Sequence, residues 1–193
     1  MDKLYLAKPT KENENDAIKY IEEFQIFNSN INGTGGLDRY LNDYDGWLKK
    51  LEEDEIRIPS EERVPAITRL LVREEDNRII GMINIRLVLN ERLKKLGGSI
   101  GYSIRPTERR QGYSKINLYL GLLLCKKYNI KEVQIDCDED NIGSKKTIEA
   151  LGGVLNKSFY SDLENCMVLS YIIDVDKVLN EYSNIYEPLI RWD

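Results

Sequence analysis

The residues best suited to chemistry form a short basic loop near the middle of the chain. We call it the basic loop: Arg109-Arg110-Gln111-Gly112-Tyr113-Ser114-Lys115. A predicted helix begins within it, and backbone N–H groups at a helix N-terminus bind anions. Gly112 lets the main chain approach a phosphate closely, and Arg105, just upstream, adds a further positive charge. The loop therefore predicts a diphosphate site, with a solvated surface loop as the alternative.

Two familiar phosphate-binding patterns are absent. The loop is neither the P-loop pattern GxxxxGK[ST] nor the dinucleotide fingerprint GxGxxG. A second polar group follows the next predicted strand, running from Asp136 to Asn141 and on to Ser144. Asn141 is suited either to capping the helix that follows or to contacting a ligand, and the sequence leaves both roles open.

The composition excludes several kinds of site. The chain has no histidine, which removes imidazole zinc sites and Ser–His or Cys–His catalytic pairs. Its three cysteines, Cys125, Cys137 and Cys166, lack CxxC spacing and are expected to be buried thiols, so we expect no metal site. The net charge of −5 argues against a general nucleic-acid-binding protein.

The chain organisation is simple. Its 193 residues fit one domain spanning residues 1–193, without repeats or linkers. No apolar run approaches the ~20 residues that a membrane-spanning helix needs. No hydrophobic signal region follows Met1, so we expect a cytoplasmic protein without membrane contact.

Hydrophobic periodicity predicts the elements that position the basic loop. Strands are expected at residues 4–7, 66–73, 79–89, 98–104, 133–137, 154–160 and 166–173. Helices are expected at residues 13–28, 37–53, 113–128 and 141–151, followed by a tail, 178–193, with a helix and an extended end. The central strand–helix–strand unit predicts a parallel pair of strands, flanked by antiparallel hairpins. The fold class is therefore a mixed, mostly antiparallel α/β sheet with a central β-α-β unit and flanking helices.

The stretch from Gly97 to Gly153 resembles the GNAT superfamily of acyl-CoA N-acyltransferases. Arg109-x-x-Gly112-x-Ser114 is similar to the family's cofactor signature [RQ]xxGx[GA], with Ser in place of the final Gly or Ala. Asn141-x-x-Ser144 is similar to the Asn-x-x-[AS] after the fifth strand, and Ala150-Leu151-Gly152-Gly153 to the usual end of that helix. Residues 81–86 and 97–102 resemble a bacterial subgroup of predicted acetyltransferases.

This resemblance implies acetyl-CoA as co-substrate, bound in a V-shaped cleft between the strands that end at Ile104 and near Asp138. The pantetheine amides would pair with backbone around Tyr102, Ser103 and Ile104. The diphosphate would take N–H bonds from Gln111, Gly112, Tyr113, Ser114 and Lys115, beside Arg109 and Arg110. Asn141, with Ser144 one turn later, would contact the pantetheine arm.

The implied activity is N-acetylation of a primary amine on a small molecule or peptide, by direct attack on the thioester. Three questions stay open: whether the chain only binds CoA without turnover, whether it transfers a longer acyl group, and whether it forms a homodimer. Acidic residues are suited either to attracting a cationic amine or to forming a solvated surface; they are Glu52, Glu53, Asp54, Glu55, Glu61 and Glu62.

No catalytic residue is assigned. Many family members carry a tyrosine seven residues after the Asn, but this chain has Ile148 there. The proton for the leaving thiolate would then come from water, from Tyr113 or from Tyr160, or the thiolate would leave unprotonated. Asp136 and Asp138 are alternative bases, and the sequence does not choose between them.

Overall fold

A computed structural model describes residues 3–191, which form seven strands and six α-helices. The strands are β1 (Leu4–Ala7), β2 (Ala66–Arg73), β3 (Ile79–Arg86), β4 (Ile100–Ile104), β5 (Glu132–Asp138), β6 (Val154–Ser161) and β7 (Cys166–Asp174). The helices are α1 (Glu14–Ile26), α2 (Tyr44–Glu55), α3 (Glu91–Lys95), α4 (Tyr113–Lys127), α5 (Ile142–Ala150) and α6 (Val175–Tyr186). None of these helices is long and apolar enough to cross a membrane.

The strands form two antiparallel sheets, ordered β1-β2-β3-β4 and β5-β7-β6. β4 and β5 meet where the Ser99 N–H donates to the Gln134 carbonyl, at 2.6 Å. Next to this contact, the Asp136 carboxylate accepts the Gly97 N–H at 2.8 Å, in place of a backbone carbonyl. No ladder between β4 and β5 is found in the described part of the chain, so the predicted parallel pairing is reduced to this contact. The mixed α/β class is confirmed.

Two apolar cores lie on opposite faces of the first sheet. One packs α4, α5 and α6 against both sheets, and Tyr119 and Leu122 of α4 are completely buried there. The other packs α1 and α2 against the far side of β2 and β3, around Tyr20 and Trp47. α4 is buried on several sides, because its sequence is apolar almost all the way round the helix.

The helices differ from the prediction in three places, and the strand predicted at 79–89 ends at Arg86. The helix predicted at 37–53 is broken after a 3₁₀ turn, because the Asp43 carboxylate caps a new helix by accepting the Gly46 N–H at 3.0 Å. The short helix α3, capped by Asn90, was not predicted. The last helix starts three residues earlier than predicted, with Asp174 as its cap. Of the extended end predicted after it, Trp192 and Asp193 lie outside the described residues.

Candidate active site

β4 offers an open backbone edge. The Arg105 N–H donates to the Ile80 carbonyl and the Arg86 N–H donates to the Ser99 carbonyl, both at 2.8 Å. Because alternate residues of a strand direct their backbone groups to opposite edges, those of Tyr102 and Ile104 point away from β3, towards β5. This is the side on which the ladder is absent.

The N-terminus of α4 lies beside the end of that edge. Gly112 precedes the helix in a left-handed conformation, with φ of 85°, and no side chain among the described residues caps the first turn. A Cβ added to Gly112 would meet no protein atom within 4 Å. The Lys115 N–H donates to the Gly112 carbonyl at 3.2 Å, whereas no acceptor is found within the described residues for the N–H groups of Tyr113 and Ser114, as is usual in the first turn of a helix. The arrangement suits an anion.

The basic loop supplies exposed positive charge next to these donors. The side chains of Arg110, Gln111 and Lys115 are exposed. Arg109 is also exposed but held in place, because its Nε donates to the Ile104 carbonyl at 3.1 Å and its guanidinium lies over the Phe24 ring. The predicted cations therefore lie together, with the exception of Arg105.

The expectation that Arg105 adds charge to this site is wrong. Its side chain is only 3% exposed and is paired with Asp16 at 2.7 Å and Glu23 at 3.2 Å, both on α1. The same two carboxylates bind the main chain or side chains nearby: Asp16 accepts the Ile79 N–H, and Glu23 accepts the Thr107 hydroxyl. Arg105 therefore links the segment between β4 and the basic loop to α1. The two carboxylates of α1 neutralise its charge.

The N-terminus of α5 forms the opposite side of the cleft. Asn141 is its cap, and its Oδ1 accepts the Ser144 N–H at 3.1 Å, so the capping role is present. The Tyr102 hydroxyl hydrogen-bonds to Ser144 Oγ at 3.0 Å, which joins β4 to α5. Burial raises the pKa of Tyr102 to about 12, despite the hydrogen bond from Ser144, so this phenol stays protonated at neutral pH.

Ser114, which departs from the family signature, is accommodated by a hydrogen bond. Thr147 Oγ1 lies 3.0 Å from Ser114 Oγ and also donates to the Gly143 carbonyl at 2.8 Å. This contact links the first turns of α4 and α5. Thr147 was not predicted as part of the site, because only the packing of the two helices places its hydroxyl there.

Several predicted side chains point elsewhere. Tyr113 is buried, and the Ser103 hydroxyl lies on the opposite face of β4, bonded to the Asn32 carbonyl and to Tyr20. Tyr160, a candidate acid, hydrogen-bonds to Asn165 Oδ1 at 2.6 Å. Ile148 is completely buried in the core.

The carboxylates are mostly engaged in structural contacts. Asp136 supports the junction between the sheets. Asp54 pairs with Lys50 and Arg57, and Glu55 pairs with Arg69, so the acidic stretch of α2 is partly neutralised. Asp138 is partly exposed at the end of β5. Two surface cavities, one on α1 beside Arg105 and one beside α2, are lined by none of the predicted cofactor residues, which border an open cleft instead.

The loop between α1 and α2 forms a wall that sequence reasoning missed. A Cβ added to Gly33 would fall 2.4 Å from the Gly101 carbonyl oxygen, so only glycine allows the loop to lie directly on β4. The sequence signal was the glycine run at 33–36 together with Gly101. This loop covers the face of β4 opposite α4.

Comparisons with known proteins agree with this geometry. Residues 7–154 match the family model of the acetyltransferase (GNAT) domain. None of the curated proteins matches the chain. Mycobacterium smegmatis RimJ in complex with CoA-disulfide has 12% identity and a TM-score of 0.68, covering 92% of this chain and 88% of that chain.

Two further solved structures have the same fold. The microcin C7 self-immunity acetyltransferase MccE, in complex with acetyl-CoA and AMP, has 15% identity and a TM-score of 0.66, covering 90% of this chain and 93% of that chain. A spermidine N-acetyltransferase SpeG chimera from Vibrio cholerae and hSSAT has 12% identity and a TM-score of 0.62, covering 92% of this chain and 99% of that chain. Since the family model spans most of the chain, this protein belongs to the GNAT acetyltransferases, enzymes that use acetyl-CoA as acyl donor.

Proposed function

We propose that this protein transfers the acetyl group of acetyl-CoA to a primary amine of a peptide or small molecule. One observation carries the proposal: the open backbone edge of β4 ends beside the uncapped N-terminus of α4. An extended amide chain can pair with such an edge, and an anion can bind such a helix terminus. The pantetheine arm and diphosphate of CoA carry these two features in one molecule.

The residues present fit that ligand. In our proposal the N–H groups of Gln111, Gly112, Tyr113 and Ser114 hold the diphosphate, with Arg109 and Arg110 as counter-charges. The Lys115 N–H donates to the Gly112 carbonyl, so we leave it out of these contacts. The backbone of Tyr102 and the N–H of Ile104 are offered to the pantetheine amides, since the Ile104 carbonyl already accepts from Arg109 Nε. The backbone of Ser103 faces β3, so we leave Ser103 out of these contacts. Asn141 and Ser144 border the arm from α5, with the Asn141 side-chain amide free to donate while its oxygen caps the helix.

The chemistry depends on the acceptor's protonation state. Bound acetyl-CoA supplies an activated thioester, and the amine must be neutral to attack it. A lysine-like amine of pKa ~10.4 is neutral at pH 7 at a cost of about 4.6 kcal/mol, whereas an α-amine of pKa ~7.7–8.0 costs about 1 kcal/mol. Asp136 is engaged at the sheet junction, which leaves the partly exposed Asp138 as the remaining candidate base, and an α-amine needs the least help from it. The solved relatives include both kinds of enzyme, an α-N-protein acetyltransferase for ribosomal L7/L12 and a spermidine N-acetyltransferase.

The Gly112→Asp substitution tests the site. We expect the Kd for CoA, measured by calorimetry, to rise about 100-fold or more, because the new carboxylate faces the diphosphate. Gly112→Ala is the matched control: it carries the same left-handed strain without the charge, and should weaken binding much less. Since neither Cβ meets a protein atom, both variants should fold. Unchanged CoA affinity in folded Gly112→Asp would refute the assignment.

The buried Ile148 supports a second candidate, a GNAT fold that binds CoA without turnover. Measuring thiol release from acetyl-CoA against a panel of α-amines, polyamines and lysine derivatives separates the two. Turnover with any amine supports the enzyme; tight CoA binding without turnover on the whole panel supports the binding module. The homodimer, the single domain and the cytoplasmic location stay predictions.

A further inference from the structure

One arginine beside the cleft, Arg86, has no counter-charge of its own. Four other buried or partly buried arginines each have a carboxylate within 2.8 Å; they are Arg57, Arg69, Arg73 and Arg105. Arg86 is also partly buried, but it forms no ion pair with any described residue. A charge removed from water is costly unless a partner compensates it, so an unpaired guanidinium suits an anionic ligand.

Most of the hydrogen-bond donors of Arg86 are unused. A guanidinium has five N–H groups, and the two on Nη1 donate to the carbonyls of Gly97 and Gly98 at 2.8 and 2.9 Å. The other three, on Nε and Nη2, have no acceptor in the described part of the chain. Burial and then the neighbouring Arg92 lower the pKa of Arg86, while Asp136 raises it. This balance is typical of a desolvated cation whose counter-charge is incomplete.

Asp136 is the nearby carboxylate, but it is bound elsewhere. Its Oδ2 accepts the Gly97 N–H at 2.8 Å, and its Oδ1 accepts the side-chain amide of Gln134 at 3.0 Å. Arg92 on α3 is exposed and adds a second positive charge near Arg86. Two arginines and one carboxylate therefore leave this corner of the cleft positive.

The side chain of Arg86 lies on the face of the cleft that is free of α4 and α5. Ile83 and Ile85 of β3 belong to the core around α4, so Asn84 and Arg86, which alternate with them, lie on the opposite face. α4 and α5 fill the first face, so an acceptor has to approach the cleft from the second one. From β3, the guanidinium reaches across the start of β4 to the Gly97 and Gly98 carbonyls.

The reacting end of acetyl-CoA comes to the same corner in the proposed function. β4 begins beside Ser99, where the two sheets meet at Gln134, and ends beside the N-terminus of α4. A pantetheine arm that starts from a diphosphate at α4 and pairs with Ile104 and Tyr102 therefore extends towards Ser99. The Arg86 N–H donates to the Ser99 carbonyl at 2.8 Å, so Arg86 lies one or two residues, about 3–7 Å along the strand, beyond the positions that follow Ser99.

We propose that Arg86 is a specificity-determining residue that binds a carboxylate carried by the acceptor close to its amine. This inference rests on the proposed function. Nε and Nη2 present two parallel N–H groups, the arrangement that a carboxylate accepts in a bidentate pair. The carboxylate belongs either to an amino acid or to an acidic side chain at the start of a peptide. Arg86 exchanges no proton and forms no bond in the transfer; it positions the amine beside the thioester.

The first test measures binding of product analogues to the full-length protein saturated with CoA. N-acetylalanine and N-acetylalaninamide differ in the carboxylate, and neither has an amine that titrates. We expect calorimetry to give a Kd about 10–100-fold lower for the carboxylate, the usual gain from hydrogen bonds to a charged group. N-acetylaspartylglycinamide and N-acetylasparaginylglycinamide form the corresponding peptide pair.

The two pairs distinguish the sources of the carboxylate. A preference in the first pair alone indicates an amino acid, a preference in the second alone indicates a peptide, and either supports the proposal, as does a preference in both. Equal affinities within both pairs, or no binding of any analogue to the CoA complex, would overturn it. A wild-type protein that binds no CoA would refute the proposed function instead.

The Arg86→Met variant tests whether this residue causes the preference. It should lower kcat/KM for the acceptor with a carboxylate about 10–100-fold more than for its amide, while CoA affinity stays the same. Comparing each acceptor between wild type and variant cancels the difference in amine pKa. Arg86→Lys keeps the charge without the paired N–H groups and should lose about tenfold, so it provides the same comparison if Arg86→Met does not fold.

The matched control is Arg57→Met. Arg57 is another partly buried arginine, and its partner Asp54 keeps an ion pair with Lys50 when Arg57 is removed. We expect the control to discriminate between the acceptors as the wild type does. A folded Arg86 variant that binds CoA normally and discriminates as well as the wild type, in kinetics and in analogue binding, would refute the role of Arg86.

Discussion

At the scale of single residues, the basic loop is held in an unusual backbone conformation. Arg110 has φ of 67° and Gly112 has φ of 85°, both left-handed. Gly112 adopts this conformation freely, but an arginine is strained there by about 1–2 kcal/mol. Both residues lie in the segment that leads into α4. The strain at Arg110 is therefore compatible with a role of its side chain in binding.

Replacing Arg110 with glycine should separate stability from binding. We expect Arg110→Gly to raise the free energy of unfolding by about 0.5–1 kcal/mol, because strain is relieved, and to weaken CoA binding, because a cation is lost. Urea denaturation and calorimetry measure the two effects. Arg110→Ala keeps the strain and should lose only affinity. Equal stability of both variants would contradict the strain, and unchanged affinity would contradict the charge.

At the scale of elements, α1 and α5 position the residues around the cleft, but neither helix supplies a side chain that we assign as the general base. Asp16 and Glu23 of α1 hold Arg105 and Thr107, and so fix the chain between β4 and the basic loop. α5 turns its capped N-terminus towards Tyr102 and its Ile148 into the core. Ile148, at the position where many family members carry a tyrosine, is completely buried.

Restoring the family residue should therefore fail to improve the enzyme. Ile148→Tyr enlarges a completely buried side chain that already lies against Gly153, and we expect it to lower the free energy of unfolding by about 1–3 kcal/mol without raising kcat. Denaturation and steady-state kinetics provide the check. Ile148→Val is the matched control and should cost about 0.5–1.5 kcal/mol with kcat retained. A gain in kcat for Ile148→Tyr would show that the helix can turn this position to the cleft.

At the scale of the whole molecule, the two sheets meet at one contact, between Ser99 and Gln134, at the end of the cleft. The cleft exists because β4 and β5 touch near Ser99 and then lack a ladder. Both sheets pack against the core around α4, and several tyrosine side chains are buried there together with their hydroxyl groups. Burial raises the pKa of Tyr102, Tyr119 and Tyr171 to about 12.

These tyrosines should make the fold sensitive to alkali. Unfolded tyrosine ionises near pH 10, while the folded groups hold their protons to about 12, so their contribution is complete below pH 10 and is lost as pH rises towards 12. We expect the free energy of unfolding from urea titrations to fall between pH 10 and 11. Tyr119→Phe should reduce that fall, since its buried hydroxyl has no hydrogen-bond partner among the described residues. The same slope in both proteins would contradict this origin.

The sequence by itself determined the order of elements and the family. Periodicity located nearly every strand and long helix, because burial on one face imposes a repeat of two or of 3.6 residues. Periodicity does not predict helix starts that depend on a single capping side chain. The examples here are the break at Asp43 and the short helix after Asn90. Gly112 is predicted as part of the phosphate site from local chemistry alone, since a close approach of backbone to phosphate favours a residue without Cβ, and its role stays a proposal.

Only the tertiary structure decided which side chains face the cleft. Arg105 and Arg109 are alike in sequence, yet the carboxylates of α1 neutralise one and leave the other exposed. Tyr102 meets Ser144 across 42 positions of the chain, a pairing that no spacing rule predicts. The physical reason is that charge and hydrogen-bond partners are set by which elements pack together, while a sequence pattern records only whether a position is buried.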